Sequence, residues 1–338
     1  MTAHPANLAP PALPMRPAAG RPTEAHAVAA TGSPRASGLA SVAAAASGIL
    51  VGAAIVATRF VVAQTGPASL ALLRYTIGFC CLLPPVLLAA RVRFAPRDLV
   101  PIVLLGITQF GILIALLNFG LKFIPSGRAA LIFATFPLLT MLFAAALGRE
   151  QLTAAKSLGV LLTIAGVGFA LGEKAIQWGA TRGWLCELAV LASALSGAVC
   201  SVLYRPYLRR YPTLAVSAFA MLASVGFLAV LAAREGFFRA WPHFTTCGWL
   251  AVVFIGLNSG VGYYLWLWAL GHTTPTRVTV FLALSPLTAA GLGAWLLAEE
   301  VSALLLMGLA CVVLGLWLAH RPGAEPAEPR AARPEEAG

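Results

Sequence analysis

The sequence predicts an all-α integral membrane protein with about ten transmembrane helices, arranged as two inverted five-helix repeats. Three observations lead to this fold class: an apolar composition, apolar blocks of spanning length, and a repeat that relates the two halves of the chain. Hydrophobic residues make up 59% of the 338 positions and charged residues only 10%, and the mean hydropathy is +0.86. A soluble domain carries about 25% charged residues because its surface must be solvated. Water therefore cannot be the only solvent of this chain.

The apolar residues form continuous blocks rich in Ala, Leu and Gly. Only helices and closed barrels satisfy their backbone groups in lipid. A spanning helix needs about 20 apolar residues, whereas barrel strands alternate apolar and polar residues. The blocks therefore predict helices, and we expect ten spans at about residues 41–62, 68–90, 99–119, 127–147, 154–172, 183–203, 213–232, 248–270, 277–297 and 303–320.

The two ends of the chain have a different composition from the spans. Residues 1–38 are rich in Ala and Pro, and residues 321–338 repeat Pro, Ala, Glu and Arg. Both are expected to be disordered cytoplasmic tails, and the first lacks the isolated apolar region and cleavage site of a signal peptide. Between them, residues 39–172 form the first predicted repeat and residues 183–320 the second.

Basic residues in the loops predict the orientation of the spans. With the N-terminus inside, the inner loops hold nine Lys and Arg residues and the outer loops hold six. Cytoplasmic loops carry the excess of Lys and Arg. We therefore expect a multi-pass protein of the inner (plasma) membrane with both termini in the cytoplasm.

The net positive charge and the spacing of the cysteines limit the kinds of partner and cofactor that we expect. The net charge of +11 comes from residues in short loops and tails, as the positive-inside rule predicts, so we expect a lipid bilayer and no nucleic acid. None of the six cysteines forms a C-x-x-C pair, and five lie in apolar blocks, which favours packing over a disulfide framework or a metal site. We expect no metal and no cofactor. A homodimer is one arrangement that the sequence leaves open.

An internal repeat relates residue n to residue n+149. Matches of Arg, Pro, Glu and Gly are not explained by the abundance of Ala and Leu. The matched pairs are Arg128 and Arg277, Pro137 and Pro286, Glu150 and Glu299, Gly159 and Gly308, and Gly166 and Gly315. Because five spans are an odd number, the second copy enters the membrane upside down. Inverted repeats are typical of secondary transporters, whose substrate sites lie near the midplane of the bilayer.

Three segments of the chain resemble the EamA-like branch of the drug/metabolite transporter superfamily. They are PASLALLRYTIG at residues 67–78, GLKFIPSGRAALIFATFPLLTMLFAAALGREQLTAAKSLGVLLTIAGVGFALG at 120–172, and ALGHTTPTRVTVFLALSPLTAAGLGAWLLAEEVSALLLMGLACVVLGLWLA at 269–319. The resemblance covers about residues 42–320. It implies ten helices, both ends in the cytoplasm, and export or exchange of small metabolites such as amino acids.

Helix breaks and small residues suggest where the bundle moves or packs closely. Pro137 and Pro286 lie near the middle of the fourth and ninth predicted spans, where a proline removes a backbone hydrogen bond and kinks a helix. They are candidates for gating, with a simple packing kink as the alternative. The pairs Gly48–Gly52 and Gly256–Gly260 have the G-x-x-x-G spacing of close helix contacts.

Polar residues inside the predicted spans are the candidate site. Arg59, Arg74 and Glu187 carry charges there, and such residues are costly in hydrocarbon. Arg59 and Glu187 are candidates for coupling or for a structural ion pair. Candidate substrate-binding residues are Arg74, Gln109, Asn118, Asn258, Tyr263 and Tyr264. In addition, Glu150 and Glu299 are expected to cap or orient the helix that follows each of them.

The predicted function is a secondary transporter, and an exporter in particular, that works by alternating access. A channel, or a lipid or nucleotide-sugar translocase of the same fold, is the alternative, although the sequence has no ring of like charges to line a pore. A membrane enzyme would need a nucleophile or metal set, and G-x-S-x-G, H-E-x-x-H and a P-loop are all absent. A duplicated scaffold without transport also remains an alternative.

Two of the charged candidates lead to specific hypotheses. Arg74 is the deepest cation, and its planar guanidinium suits a carboxylate, so we expect an anionic group on the substrate. Proton coupling, if present, is expected to run through Glu187 or through no carboxylate at all, because burial raises the affinity of a carboxylate for protons and other acidic residues lie in tails, loops or span ends.

Overall fold

A computed structural model of the protein describes residues 34–89, 92–148, 154–176, 181–240, 242–272 and 284–319. We number the long helices in chain order. They are α1 (Pro34–Val61), α2 (Pro67–Leu88), α3 (Pro96–Leu121), α4 (Ser126–Ala146), α5 (Ala154–Ile176), α6 (Thr181–Leu203), α7 (Thr213–Arg234), α8 (Thr246–His272), α9 (Leu284–Leu297) and α10 (Ala303–Ala319). A short 3-10 turn, Val62–Gln64, follows α1, and a short helix, Arg205–Arg210, follows α6.

The helices match the predicted spans in number. In the described part of the chain, seven are long and apolar enough to cross a membrane, and shorter apolar helices occur within α5, α9 and α10, which together make ten. Two boundaries differ from the prediction. Helix α1 begins at Pro34, inside the predicted tail 1–38, and α3 begins at Pro96, so that Asp98 lies in its first turn rather than in a loop. The remaining tail residues, 1–33 and 321–338, lie outside the described part of the chain, as does residue 320 of the last predicted span.

Two of the helices are irregular near their middle. Helix α3 contains a π-helical stretch, Ile107–Ile112, a local widening that often occurs at functional sites. Helix α4 consists of two segments, Ser126–Phe133 and Phe136–Ala146. The interruption lies just before Pro137, which cannot donate a backbone hydrogen bond to the preceding turn.

Eight helices pack side by side in a closed ring. Its order is α1, α8, α2, α7, α3, α6, α4, α9 and back to α1. The counterparts in the two repeats are α1 and α6, α2 and α7, α3 and α8, and α4 and α9. Exchanging the two helices of every pair reproduces the same ring order. Helices α5 and α10 pack against each other outside the ring and contact it at α4. This symmetry of contacts is what two inverted copies of one five-helix unit produce.

The contact between α5 and α10 shows the symmetry residue by residue. A side chain placed on Gly166 would lie 2.7 Å from the carbonyl oxygen of Gly308, and one on Gly315 would lie 2.6 Å from that of Gly159. Adding 149 to 159 and 166 gives 308 and 315, so the two contacts exchange under the repeat. The matched glycines of the sequence therefore lie where the two copies meet most closely.

The bundle has two ends, which we name after an acidic residue at each. The Glu299 end comprises residues 62–66, 122–125, 235–240 and 298–302, and the Asp98 end comprises residues 92–95 and 204–212. Loop charges predict that the Glu299 end faces outward, and this orientation stays a prediction.

Candidate functional site

Arg74 lies in the third turn of α2 and reaches α8 near the middle of the bundle. Its Nε donates a hydrogen bond to Ser259 Oγ at 2.6 Å. The Ser259 hydroxyl donates in turn to the carbonyl oxygen of Ile255 at 2.8 Å. The serine can therefore only accept from the arginine, and the pair fixes the plane of the guanidinium.

The terminal nitrogens of Arg74 are available to a ligand. In the described part of the chain, they make no hydrogen bond or ion pair with the protein. The guanidinium carbon lies 5.9 Å from the centre of the Tyr75 ring, and the residue is only partly buried. A charge inside a membrane bundle is costly without a partner, so this arrangement favours binding of an anionic group.

A chain of three aromatic rings from different helices begins at Tyr75, beside Arg74. The Tyr75 and Phe110 ring centres are 5.4 Å apart and edge to face. Phe110 and Tyr263 are 5.8 Å apart in the same arrangement. The Tyr263 and Ser217 hydroxyls lie 3.3 Å apart. This aromatic group joins α2, α3 and α8 and offers apolar surface next to a cation.

Helices α2 and α8 approach closely because glycines line their contact. A side chain on Gly260 would lie 3.1 Å from the carbonyl oxygen of Gly78, and one on Gly256 would lie 2.6 Å from Cβ of Ile77. The structure therefore confirms the prediction that Gly256 and Gly260 lie at a close helix contact. The close approach fixes the position of Ser259 relative to Arg74.

Gln109 and Asn258 occupy equivalent positions in the two repeats, since 258 is 109 plus 149. Gln109 lies in the π-helical stretch of α3. Asn258 Nδ2 donates to the carbonyl oxygen of Leu50 at 3.1 Å. Within the described residues, the buried side-chain oxygens of both amides have no hydrogen-bond partner. Such buried acceptors are uncommon and call for an explanation.

The other substrate-binding candidates lie elsewhere. Asn118 is fully buried and its Nδ2 donates to the carbonyl oxygen of Pro67 at 2.9 Å. It joins α3 to the start of α2 near the Glu299 end, away from Arg74. Tyr264 belongs to α8, but its side chain lies outside the described part of the chain.

The two coupling candidates do not contact each other. Arg59 donates to the carbonyl oxygens of Leu121 and Lys122 at 2.7 and 2.8 Å, and its Nε lies 3.7 Å from Glu299 Oε1. Glu187 Oε1 lies 3.5 Å from a terminal nitrogen of Arg128. This ion pair with Arg128 favours a structural role for Glu187.

Glu299 caps a different helix from the one expected. Its carboxylate oxygens accept hydrogen bonds from the Ser126 backbone N–H, both at 2.9 Å, and from the Ser126 hydroxyl. It therefore caps α4, while α10, the helix that follows Glu299, is capped by Ser302 Oγ at 3.1 Å from Leu305 N. The expectation that Glu299 orients the next helix is wrong, because the left-handed Ala298 (φ of 50°) ends α9 in a sharp turn.

The equivalent prolines are only partly comparable. Pro137 follows the interruption of α4. Pro286 is the third residue of α9, and the residues before Leu284 lie outside the described part of the chain, as do Glu150 and Arg277. Whether either proline acts as a gate stays a prediction.

Sequence reasoning missed Ser259, the residue that holds Arg74. Its signal was weak, because a serine in a membrane helix usually bonds its own backbone. Among the described residues, no group of three or more His, Cys, Asp or Glu side chains could hold a metal ion.

The family model of the EamA-like transporters matches residues 38–172 and 184–321. The chain belongs to this family, and it is a multi-pass membrane transporter of small molecules. The double match shows that each half of the chain carries one copy of the family unit.

Three similar proteins give the comparison more detail. A probable terminal-alkyne amino-acid exporter of Streptantibioticus cattleyicolor is 31% identical over 76% of this chain and 84% of its own. The aromatic amino acid exporter YddG of Ancylobacter novellus is 33% identical over 43% of this chain and 50% of its own. One crystal structure superposes with a TM-score of 0.62 at 26% identity, covering 83% of this chain and 95% of that one.

Proposed function

We propose that the protein is a secondary transporter that exports a small carboxylate-bearing metabolite, such as an amino acid, across the cytoplasmic membrane by alternating access. The observation that carries the proposal is Arg74, whose terminal guanidinium nitrogens have no partner among the described residues while Ser259 holds its Nε. A fork of this kind binds a carboxylate with two hydrogen bonds.

The surroundings of Arg74 agree with a substrate that also has an apolar part. Tyr75, Phe110 and Tyr263 form a continuous edge-to-face group that begins next to the guanidinium at Tyr75. Aromatic rings offer large apolar contact area. Two of the similar proteins are exporters of amino acids by name, which supports the same class of substrate here.

The test is flux in liposomes with the purified protein. We expect saturable efflux of one or more amino acids from a labelled panel, with acceleration by unlabelled substrate on the other side. Linear, unsaturable flux would indicate a channel instead. Transport of a lipid or a nucleotide sugar, with no amino acid moved, would overturn the proposal in favour of those translocases.

Arg74 variants test the site itself. Arg74→Gln should lower the apparent affinity about 10- to 100-fold, since hydrogen bonds to charged groups contribute about 1.5–3 kcal/mol, and Arg74→Lys should recover part of the loss. The matched control is Arg93→Gln, which changes an exposed arginine in a loop. Unchanged transport in Arg74→Gln would show that the guanidinium does not bind the substrate.

Proton coupling through Glu187 stays a separate proposal. The assay compares flux with and without an imposed pH gradient in the natural protein and in Glu187→Gln. An equal response of both proteins would exclude Glu187 as the proton carrier, and its contact with Arg128 would then be structural only.

A further inference from the structure

Helix α8 contains a buried acceptor next to the residue that anchors Arg74. Asn258 is 8% exposed, and its Nδ2 donates to the carbonyl oxygen of Leu50 at 3.1 Å. Because a carbonyl oxygen can only accept, this bond sets the orientation of the amide. Oδ1 is then the free end of the amide, and it has no hydrogen-bond partner within the described residues. A buried acceptor without a partner is costly, so it indicates a group that binds there.

Gly262 keeps the space beside that oxygen open. A Cβ atom placed on Gly262 would lie 2.7 Å from Asn258 Oδ1, and apart from the backbone of α8 the Asn258 amide is the only group within 4 Å of it among the described residues. Any larger residue would collide with the amide and fill the space. The glycine therefore leaves room for a ligand atom to reach Oδ1.

The equivalent place in the first repeat is filled. Gly262 corresponds to Leu113, and Ser259 corresponds to Phe110, at a separation of 149. Leu113 and Phe110 are both buried, and Leu113 packs towards Gly197 of α6. Although Gln109 corresponds to Asn258, among the described residues only α8 combines an unpartnered amide oxygen, a serine that holds an arginine, and a glycine.

The register of α8 places Ser259, which binds the arginine, and Gly262, which borders the acceptor, on one side of the helix. Ser259 and Gly262 are three residues apart, so their Cβ positions are about 5–6 Å from each other on one face. Arg74 is bound at Ser259, and Asn258 Oδ1 borders Gly262. An α-amino acid carries its carboxylate and its ammonium group on one carbon atom, so a single molecule has one group for each of these two places.

We propose that Asn258 Oδ1, in the space beside Gly262, accepts a hydrogen bond from the ammonium group of a zwitterionic α-amino acid whose carboxylate is bound by Arg74. This inference rests on the proposed function and adds the requirement for an amino group. It makes Asn258 and Gly262 the residues that select amino acids over simple carboxylates.

The test measures binding of matched ligand pairs to the purified full-length protein by calorimetry. The pairs are L-leucine with 4-methylpentanoate and L-phenylalanine with 3-phenylpropanoate, which differ by the amino group. We expect the natural protein to bind at least one amino acid at least tenfold more tightly than its partner. Asn258→Leu and Gly262→Ala should remove that preference and leave the affinity for the carboxylate unchanged, which shows that the variants are folded.

Two further variants separate the inference from the proposed function. Arg74→Gln should lower the binding affinity for both ligands of a pair. Gly226 is an exposed glycine of α7 where an added Cβ would meet no atom within 4 Å. Gly226→Ala should therefore leave the affinity for both ligands unchanged. If Asn258→Leu lowers the affinity for both ligands of a pair equally, or changes neither affinity, the ammonium site is wrong while the carboxylate site stands. If the natural protein binds neither member of either pair, both the inference and the proposed substrate class are overturned.

Discussion

The two ends of the bundle are joined in different ways. At the Glu299 end, hydrogen bonds and ion pairs connect helices across the ring as well as around it. These contacts are Arg59 with Leu121 and Lys122, Arg59 with Glu299, Glu299 with Ser126, Asn118 with Pro67, Glu235 with Ala68 and Ser69, Gln64 with Thr245, and Arg128 with Glu187.

At the Asp98 end, the described residues form one joint. Asp98 accepts from Arg210 at 2.8 Å and from the Tyr211 hydroxyl at 2.7 Å, and the same hydroxyl accepts from Ala95 N at 3.0 Å. This joint connects the start of α3 to the segment between α6 and α7, which are its neighbours in the ring. It does not cross the ring.

Contacts across the ring show that the Glu299 end of the bundle is closed. The halves of α3 and α4 nearest the Glu299 end also pack against α1 across the ring. Opening that end requires breaking the crossing contacts of Arg59 with Leu121 and Lys122 and of Asn118 with Pro67. Among the described residues, the Asp98 end has no comparable set of crossing contacts. Packing of α1 against α3 and α4 across the ring therefore closes the bundle at the Glu299 end.

The largest expected effect concerns orientation, because its outcome is all or none. If the Glu299 end faces outward, a reporter fused at Arg321 gives a cytoplasmic signal and a reporter placed within residues 233–247 gives an external one. The physical reason is the excess of Lys and Arg in the loops of the other end. The reverse pattern would mean that the closed end faces the cytoplasm.

Glu299→Ala should open the closed end. The variant leaves the start of α4 without its cap and Arg59 without its acidic partner, and hydrogen bonds to charged groups contribute about 1.5–3 kcal/mol. The opening equilibrium should rise about 10- to 100-fold, measured as faster amide hydrogen exchange in residues 118–130. Glu300→Ala is the matched control, since Glu300 is an exposed neighbour. Equal exchange in the two variants would contradict the role of Glu299 in closure.

Asp98→Asn should have a smaller effect, and on stability rather than on opening. The Arg210 side chain is 53% exposed, and exposed ion pairs contribute about 0–1 kcal/mol. We expect a lower midpoint of thermal unfolding with unchanged exchange in residues 118–130. A change in exchange as large as that of Glu299→Ala would remove the distinction between the two ends.

Ala298→Gly should have the smallest effect, in the stabilising direction. Ala298 has a φ of 50°, a left-handed conformation that glycine adopts without steric cost. The gain is partly offset by the greater freedom of glycine in the unfolded chain, so we expect about 0.5 kcal/mol and a slight rise in the unfolding midpoint. Destabilisation by a similar amount would show that the turn is not strained.

The architecture could be predicted from the sequence because lipid imposes it. Hydrocarbon requires every backbone group to be satisfied within the segment, so apolar blocks of about 20 residues predict helices with little ambiguity. The repeat of 149 residues predicted the inverted copies, and its matched glycines are the contact between α5 and α10. These properties depend on local sequence and on periodicity.

The candidate site could be predicted only in part. Arg74 and Asn258 were found because polar residues inside a span are costly and stand out. Ser259 and Gly262 were not found, because a serine or glycine in a membrane helix is ordinary unless its neighbour is known. Asn118 was placed in the site although it joins helix ends, since position along a span does not say which way a side chain faces.

The sequence by itself determined the number, length and pairing symmetry of the helices, which follow from hydrophobic blocks and a repeat. Only the tertiary structure decided which charges meet: Arg59 with Glu299, Arg128 with Glu187, and Arg74 with no carboxylate among the described residues. The physical reason is that ion pairs and hydrogen bonds act over a few ångströms between residues far apart in the chain. Their partners are set by the packing of the ring, which no local pattern encodes.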